Sequence, residues 1–308
     1  MESKCSAFWH HTNIRSDDRI FPCCRFKNPI AKFDGDISQV LFLKEYDELR
    51  KQSIDNTPIN GCEKCYHEEK IGKKSLRQEF NEIYDFETIS MEYLEIGFDN
   101  ICNLTCDGCY EEFSSAWSKL KYPGAEKTIH INSTQEIIEL PNSLKKVLFL
   151  GGEPLMTNRH QKFLNIVKDK SNVEIVYNTN GTFLLDKNTI DLLEQFKTVL
   201  FIVSIDGFKD LNEQVRSGSK WEQVIEFIKQ IKTTKFNLSV NTVVHINNWF
   251  GLKELEQYIE EINVPWTINF VTYPTHLDLI NVKEKHNLIN LLKSIKTVNL
   301  EYIINHVN

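Results

Sequence analysis

Apolar and polar residues alternate with period two over residues 91–99, Met-Glu-Tyr-Leu-Glu-Ile-Gly-Phe-Asp, and that period predicts a strand. From there the pattern switches repeatedly between short apolar runs and helix-like stretches. Strands are expected at 146–150, 173–177, 198–205, 238–244 and 266–271, with helices at 158–168, 187–196, 221–231, 252–261 and 283–295. A further helix near 112–120 follows the first strand, and Asp186 is placed to cap the helix from 187. Six strand–helix units at regular spacing predict an α/β fold with a parallel sheet and right-handed crossovers. Six fall short of a closed eight-fold barrel, so a partial barrel or an open sheet is expected, with ligands at the carboxyl ends of the strands.

Those strand ends carry a recurrent chemistry. After the first strand comes Cys102-Asn103-Leu104-Thr105-Cys106-Asp107-Gly108-Cys109; after the second, Gly151-Gly152-Glu153-Pro154; after the third, Asn178-Thr179-Asn180-Gly181; after the fourth, Ser204-Ile205-Asp206-Gly207. Asn241-Thr242 lies in the fifth strand and Thr272-Tyr273-Pro274 follows the sixth. Any one Gly-Gly or Asn-Gly pair is an ordinary turn former. Several at successive strand ends, beside three cysteines, indicate close approach of the backbone to a ligand.

Composition narrows the classes. The 308 residues are 41% hydrophobic and 26% charged, enough for a packed core and too apolar for wholesale disorder. The formal charge of -7 argues against a protein that clamps duplex nucleic acid by neutralising phosphates. No apolar run is long enough to span a bilayer, and Met1-Glu2-Ser3-Lys4-Cys5 lacks the apolar centre of a signal peptide. A cytoplasmic protein without a membrane partner is expected. All eight cysteines fall in the first 109 residues, and in a reducing compartment they point to metal binding or catalysis rather than to disulfides. The triplet cannot close a four-iron cluster, which takes four thiolates, so one iron would stay open to another ligand. The alternative is a zinc site that borrows a fourth ligand.

With these motifs in this order, residues 91–275 resemble the radical S-adenosylmethionine (radical SAM) superfamily. The resemblance rests on Cys102, Cys106 and Cys109, on Gly151-Gly152-Glu153-Pro154, on Thr179-Asn180-Gly181, on Ser204-Ile205-Asp206-Gly207, and on Arg216, Gly218 and Trp221 downstream. It implies a partial (β/α)6 barrel over residues 89–308. The cysteine triplet would hold a 4Fe–4S cluster, whose open iron takes the amino and carboxylate groups of S-adenosylmethionine. The backbone of Gly151, Gly152, Glu153 and Pro154 would receive the amino group. Arg216 would pair with the methionine carboxylate as a planar fork, unless it is a solvated arginine at a helix edge. Ser204 would donate to the same carboxylate, and Asn180 or Asp206 would meet the ribose. The position before the last cysteine, usually bulky and set against the adenine, is Gly108 here, so Tyr110 is a candidate to fill that space. The resemblance further implies an electron from a small donor protein (flavodoxin or ferredoxin), cleavage of S-adenosylmethionine to a 5′-deoxyadenosyl radical, and hydrogen abstraction from the substrate. That substrate would be a peptide or protein side chain, or alternatively a nucleotide, sugar or other small molecule; a non-catalytic iron–sulfur or zinc scaffold is the remaining reading.

The first ninety residues hold the other five cysteines. Two apolar stretches around a polar turn at 15–18 predict a hairpin that brings Cys5 near Cys23 and Cys24. A helix is expected over 40–51, then a Cys62-x2-Cys65 pair on a short turn. Pro22-Cys23-Cys24, Gly61-Cys62-x2-Cys65 and Lys74-Ser75-Leu76-Arg77 resemble the twitch and SPASM auxiliary-cluster domains, here preceding the barrel as a small α+β domain over residues 1–88. The resemblance implies a second 4Fe–4S cluster on Cys5, Cys23, Cys62 and Cys65, with Cys24 the alternative to Cys23. A four-cysteine zinc site has the same spacing. His10, His11 and His67 read as polar surface rather than ligands, and Trp221 and Phe227 as core.

Overall fold

The computed structural model describes residues 3–124, 129–132, 137 and 139–308. Six parallel strands form the barrel wall: β4 (Tyr93–Gly97), β6 (Lys146–Leu150), β7 (Glu174–Thr179), β8 (Thr198–Ser204), β10 (Asn237–Val244) and β11 (Trp266–Phe270). The two short strands between them in sequence, β5 (Thr105–Cys106) and β9 (Arg216–Ser217), pair only with each other. The crossover helices are α5 (Ser115–Lys121), α6 (Arg159–Ile166), α7 (Lys187–Leu193), α9 (Trp221–Lys232), α10 (Leu252–Ile262) and α11 (Lys285–Ser294). All six expected strand–helix units are present. Asp186 caps α7 by accepting from Thr189 N–H at 2.7 Å. Helix α9 buries Trp221, Val224, Phe227, Ile228 and Ile231 against the sheet, one stripe of three- and four-residue spacings. Each such side chain contributes about 1.5–3 kcal/mol of burial. No helix among the described residues is long and apolar enough to cross a membrane.

The hairpin is present as β1 (His11–Ile14) and β2 (Arg19–Phe21), with β3 (Ala31–Lys32) beside β2. The stretch before His11 is a short helix, α1 (Ala7–His10), rather than part of the strand. The hairpin does not stand apart from the barrel. Strand β1 pairs in parallel with β4, so the described residues form a nine-stranded sheet in the order β11-β10-β8-β7-β6-β4-β1-β2-β3. Strand β4 is buried along its whole length, where its alternation alone would leave one face wet. The expected helix over 40–51 divides at Leu43 into a 3-10 turn, Val40–Phe42, and α2 (Lys44–Ile54).

The rest of the N-terminal segment reaches the opposite edge of the wall. Helices α3 (Glu63–Lys70) and α4 (Leu76–Ile83) follow α2, and α12 (Glu301–Val307) closes the chain. Just after α3, Lys73 Nζ donates to Asn269 Oδ1 on β11 at 2.7 Å. Asn305 Nδ2 donates to the Ile71 carbonyl at 3.0 Å, and His67 meets His306 at 3.1 Å. The first ninety residues thus extend one open edge of the barrel and contact the other. His10 and His11 lie in the core at 1% and 0% exposure, contrary to their polar-surface reading, because α1 and β1 carry them under α4 and the strand β4.

Candidate functional site

The loop after β4 is tied down on three sides. Ser114 caps α5 and donates its hydroxyl to the Leu104 carbonyl at 2.7 Å, while Trp117 Nε1 donates to the Cys106 carbonyl at 2.9 Å. On a second side, β5 pairs antiparallel with β9 so that Cys106 lies opposite Arg216. On the third, Asn103 Oδ1 accepts from Asn180 Nδ2 at 2.9 Å and Asn103 Nδ2 donates to Thr182 at 3.1 Å. Cys102, Cys106 and Cys109 then open onto one cavity of about 290 Å³, which Gly151, Gly152, Glu153, Asn180, Ser204, Asp206 and Arg216 also line. With Val243 and His245 at the end of β10, five consecutive strand ends meet where the strand-end rule expected them.

The Gly-Gly-Glu-Pro segment is held by its backbone. Gly152 N–H donates to the Asp99 carbonyl and Glu153 N–H to that of Ile101. A Cβ on Gly152 would lie 2.1 Å from Ile101 O, so only glycine lets the two loops come together. Glu153 is 1% exposed, and its carboxylate accepts from Leu155 N–H, Thr179 Oγ1 and Asn180 N–H at 3.1, 2.8 and 2.7 Å. Burial outweighs those donors and pushes its pKa up to about 7. Its side chain joins two strand ends, and its backbone N–H and carbonyl are held by the Ile101 carbonyl and the Met156 N–H.

The Arg216 side chain is 12% exposed and faces the cavity rather than open solvent. Its Nη1 donates to Asp206 Oδ2 at 2.6 Å, and its Nε has no hydrogen-bond partner among the described residues. Burial opposes its charge, but the neighbouring Cys106 and Asp206 outweigh that and raise its pKa. Asp206 spends its other oxygen on Val243 N–H at 2.7 Å, so it orients Arg216 rather than pointing free into the space. Ser204 lines the cavity at the end of β8. Tyr110 does not reach the wall: its ring packs against Phe113 and Tyr273, and Phe113 is the aromatic that lines the cavity. Asn103, Phe113 and His245 also belong to the site, although no pattern in the sequence marked them.

The donor set suits a cubane and an anionic ligand. Burial pushes the Cys106 thiol up to about 11 and that of Cys109 to about 12, so cluster loading must displace protons. The unpartnered buried Nε of Arg216 calls for an acceptor beside the cysteines. Among the described residues no three His, Cys, Asp or Glu side chains converge on a point that one metal ion could share.

All eight cysteines are free. Cys5, Cys23, Cys62 and Cys65 are buried, and Cys24 is exposed. The four buried ones lie close enough for their charges to act on one another. Cys62 precedes α3 and Cys65 lies within its first turn, where a short turn had been expected. Ser75 starts α4 with a capping box to Gln78, and Arg77 presents a backbone N–H to the Cys65 sulfur.

The Radical SAM superfamily model matches residues 97–262. A tungsten-containing aldehyde ferredoxin oxidoreductase cofactor-modifying protein of Pyrococcus furiosus is 23% identical over 212 residues, which are 61% of this chain and 57% of that protein. A GTP 3′,8-cyclase of Alkaliphilus metalliredigens is 26% identical over 148 residues, 46% of this chain and 43% of that enzyme. The chain thus spans about half the length of these two relatives. Among solved structures, Streptococcus suis SuiB bound to precursor peptide SuiA is 15% identical with a TM-score of 0.46, covering 87% of this chain and 52% of that one. Native anSMEcpe with bound AdoMet is 19% identical with a TM-score of 0.49, covering 66% and 60%.

Proposed function

The chain belongs to the radical SAM superfamily of iron–sulfur enzymes, and on that premise we propose that it abstracts hydrogen from a peptide or protein side chain, with a second cluster in its N-terminal segment accepting or relaying an electron. The observation that carries this reading is the single cavity shared by Cys102, Cys106, Cys109, the Gly151–Gly152 backbone and Arg216. A 4Fe–4S cluster with S-adenosylmethionine, when bound, supplies one-electron cleavage and a radical that abstracts hydrogen. The residues do the rest. Three thiols hold the iron and leave one coordination site open. The unpartnered Nε of Arg216, beside the Nη1 that Asp206 fixes, receives a carboxylate. Ser204 adds a hydroxyl donor, and Asn180 fixes the cysteine loop through Asn103. Phe113 supplies apolar wall and keeps water from the reacting centre.

For the auxiliary site, the reading is a 4Fe–4S cluster on Cys5, Cys23, Cys62 and Cys65. A structural zinc on the same four thiolates is the alternative, since a tetrahedral four-cysteine site has the same spacing. The Cys24 thiol is engaged by Glu95, which favours Cys23 as the ligand. This N-terminal unit is assigned to residues 1–88, ahead of a barrel over 89–308, and the free cysteines fit a reducing, cytoplasmic setting with a flavodoxin or ferredoxin as donor. The GTP 3′,8-cyclase relatives support a second reading, a nucleotide substrate.

The test is anaerobic reconstitution followed by dithionite reduction with S-adenosylmethionine. 5′-Deoxyadenosine is expected even without substrate, and Cys106→Ala should abolish it because two thiolates cannot hold the site-differentiated cluster. A fully loaded protein that forms none refutes the assignment.

A further inference from the structure

A second cavity, of about 180 Å³, adjoins the first and shares Phe113, Leu150 and Gly151 with it. Its remaining walls come from the N-terminal hairpin and β4: Asn13, Ile14, Arg15, Ser16, Cys24 and Gly97. Neither the strand-end motifs nor the eight-cysteine pattern accounts for this set. Two of its groups, Asn13 and Arg15, have unspent chemistry. Asn13 is 3% exposed; its Nδ2 donates to Glu95 at 2.7 Å, and its Oδ1 has no partner among the described residues. The Arg15 guanidinium lies 3.8 Å over the Phe21 ring and 5.1 Å from that of Phe113. Its nearest carboxylate, Glu112, is 3.8 Å away and is held by Arg19 at 2.9 Å. Cys24 is the one exposed cysteine of the eight, and its thiol bonds to Glu95.

We propose that this cavity is the substrate pocket and that it takes a carboxylate-bearing group with an adjacent N–H, as an amino-acid or peptide unit presents, the carboxylate on Arg15 and the N–H on Asn13 Oδ1. This deepens the peptide reading above and rests on it for the neighbouring cofactor cavity. The physical argument has three parts. An unpartnered buried amide oxygen needs a donor, and an N–H supplies one. A guanidinium whose own carboxylate is engaged elsewhere offers a planar fork to a second carboxylate. A phosphate fits less well, because its charge of about -1.5 to -2 would face a single cation with the buried Glu95 close behind. The shared wall at Gly151 and Phe113 puts such a group beside the cavity where hydrogen is abstracted. The hairpin would then have two tasks, carrying Cys23 on one side and the substrate on the other.

Cys24 makes the pocket measurable without turnover. The iron-loaded protein is treated with iodoacetamide, the alkylated cysteine is located by mass spectrometry, and protection is compared for three small probes. N-acetylglycine carries both the carboxylate and the N–H; its methyl ester lacks the charge; levulinate keeps the carboxylate but has CH2 in place of N–H. Burial and the neighbouring Glu95 push the Cys24 thiol well up, so the reaction is run at alkaline pH, where labelling is expected at Cys24. N-acetylglycine should protect it at about tenfold lower concentration than either other probe, and Arg15→Gln should abolish the advantage over the ester. If that variant does not load iron, the wild-type comparison decides alone. Equal protection by acid and ester, equal protection by N-acetylglycine and levulinate, or labelling at Cys23 instead of Cys24 overturns the proposal. Failure of the cofactor reading shows in the 5′-deoxyadenosine assay, which this labelling does not use.

Discussion

Arg216 and Glu153 show how burial turns ordinary charged residues into site-building ones. Arg216 faces Cys106 across a two-residue strand pair, with one nitrogen fixed by Asp206 and Nε unspent. A charge-assisted bond from that fork is worth about 1.5–3 kcal/mol, so Arg216→Ala should weaken S-adenosylmethionine binding by about ten- to a hundredfold. Arg216→Lys should recover only part of this, because an ammonium lacks the fork. Equilibrium binding to the iron-loaded variants checks it, and an unchanged dissociation constant would transfer the role to Ser204. Glu153 carries a pH signature. Its folded pKa, about 7, exceeds the ordinary 4.5, so the fold favours the protonated acid. The stability this contributes is complete below about pH 4.5 and is lost as pH rises through about 7. Glu153→Gln, neutral throughout, should lack that loss. Urea midpoints between pH 5.5 and 8 should fall for the wild type relative to the variant, and parallel curves would contradict the assignment.

The connections between elements explain which parts of the site could be read early. Cys102, Cys106 and Cys109 and the Gly151–Gly152 pair are local signatures: spacing on one loop, and a residue type that a close approach requires. Gly152→Ala tests the second directly. Its Cβ would meet the Ile101 carbonyl oxygen at 2.1 Å and carbon at 2.5 Å, and backbone cannot yield as a flexible side chain would. A destabilisation of about 1–3 kcal/mol, together with loss of iron from the triplet, is expected from denaturant titration and metal analysis. An unchanged midpoint would mean that the loops separate freely. Phe113 and Asn103 escaped notice for the opposite reason. An aromatic and an asparagine on a loop are common, and only the packing of α5 and of the turn after β7 directs them to the cavity. Tyr110 was the plausible aromatic by position, yet the loop turns its ring toward Tyr273.

Across the whole chain, the N-terminal segment and the barrel share one sheet. The β1–β4 pairing carries four residue pairs in register, and Lys73, Asn305 and His67 link the segment to β11 and α12. The segment places one set of cysteines and one hairpin cavity against the barrel, so the proposed auxiliary site and the proposed substrate pocket fall in the same structural unit. Metal content measures the outcome. Two clusters require about eight irons per chain, and replacing Cys102, Cys106 and Cys109 together by Ala should remove about half of them. About four irons with stoichiometric zinc would instead assign the auxiliary cysteines to zinc.

Periodicity and spacing determined the six strand–helix units, the carboxyl-end location of the site and the cysteine triplet beside it, because each follows from neighbours along the chain. Tertiary structure decided what depends on distant partners. It paired β1 with β4 in parallel, which sank His11 and Glu95 into the interior. It set Arg216 opposite Cys106 across more than a hundred residues. It also left Asn13 Oδ1 without a partner beside Arg15 and Cys24, a vacancy in hydrogen bonding that no local pattern encodes, since it arises only when strands far apart in sequence exclude water together.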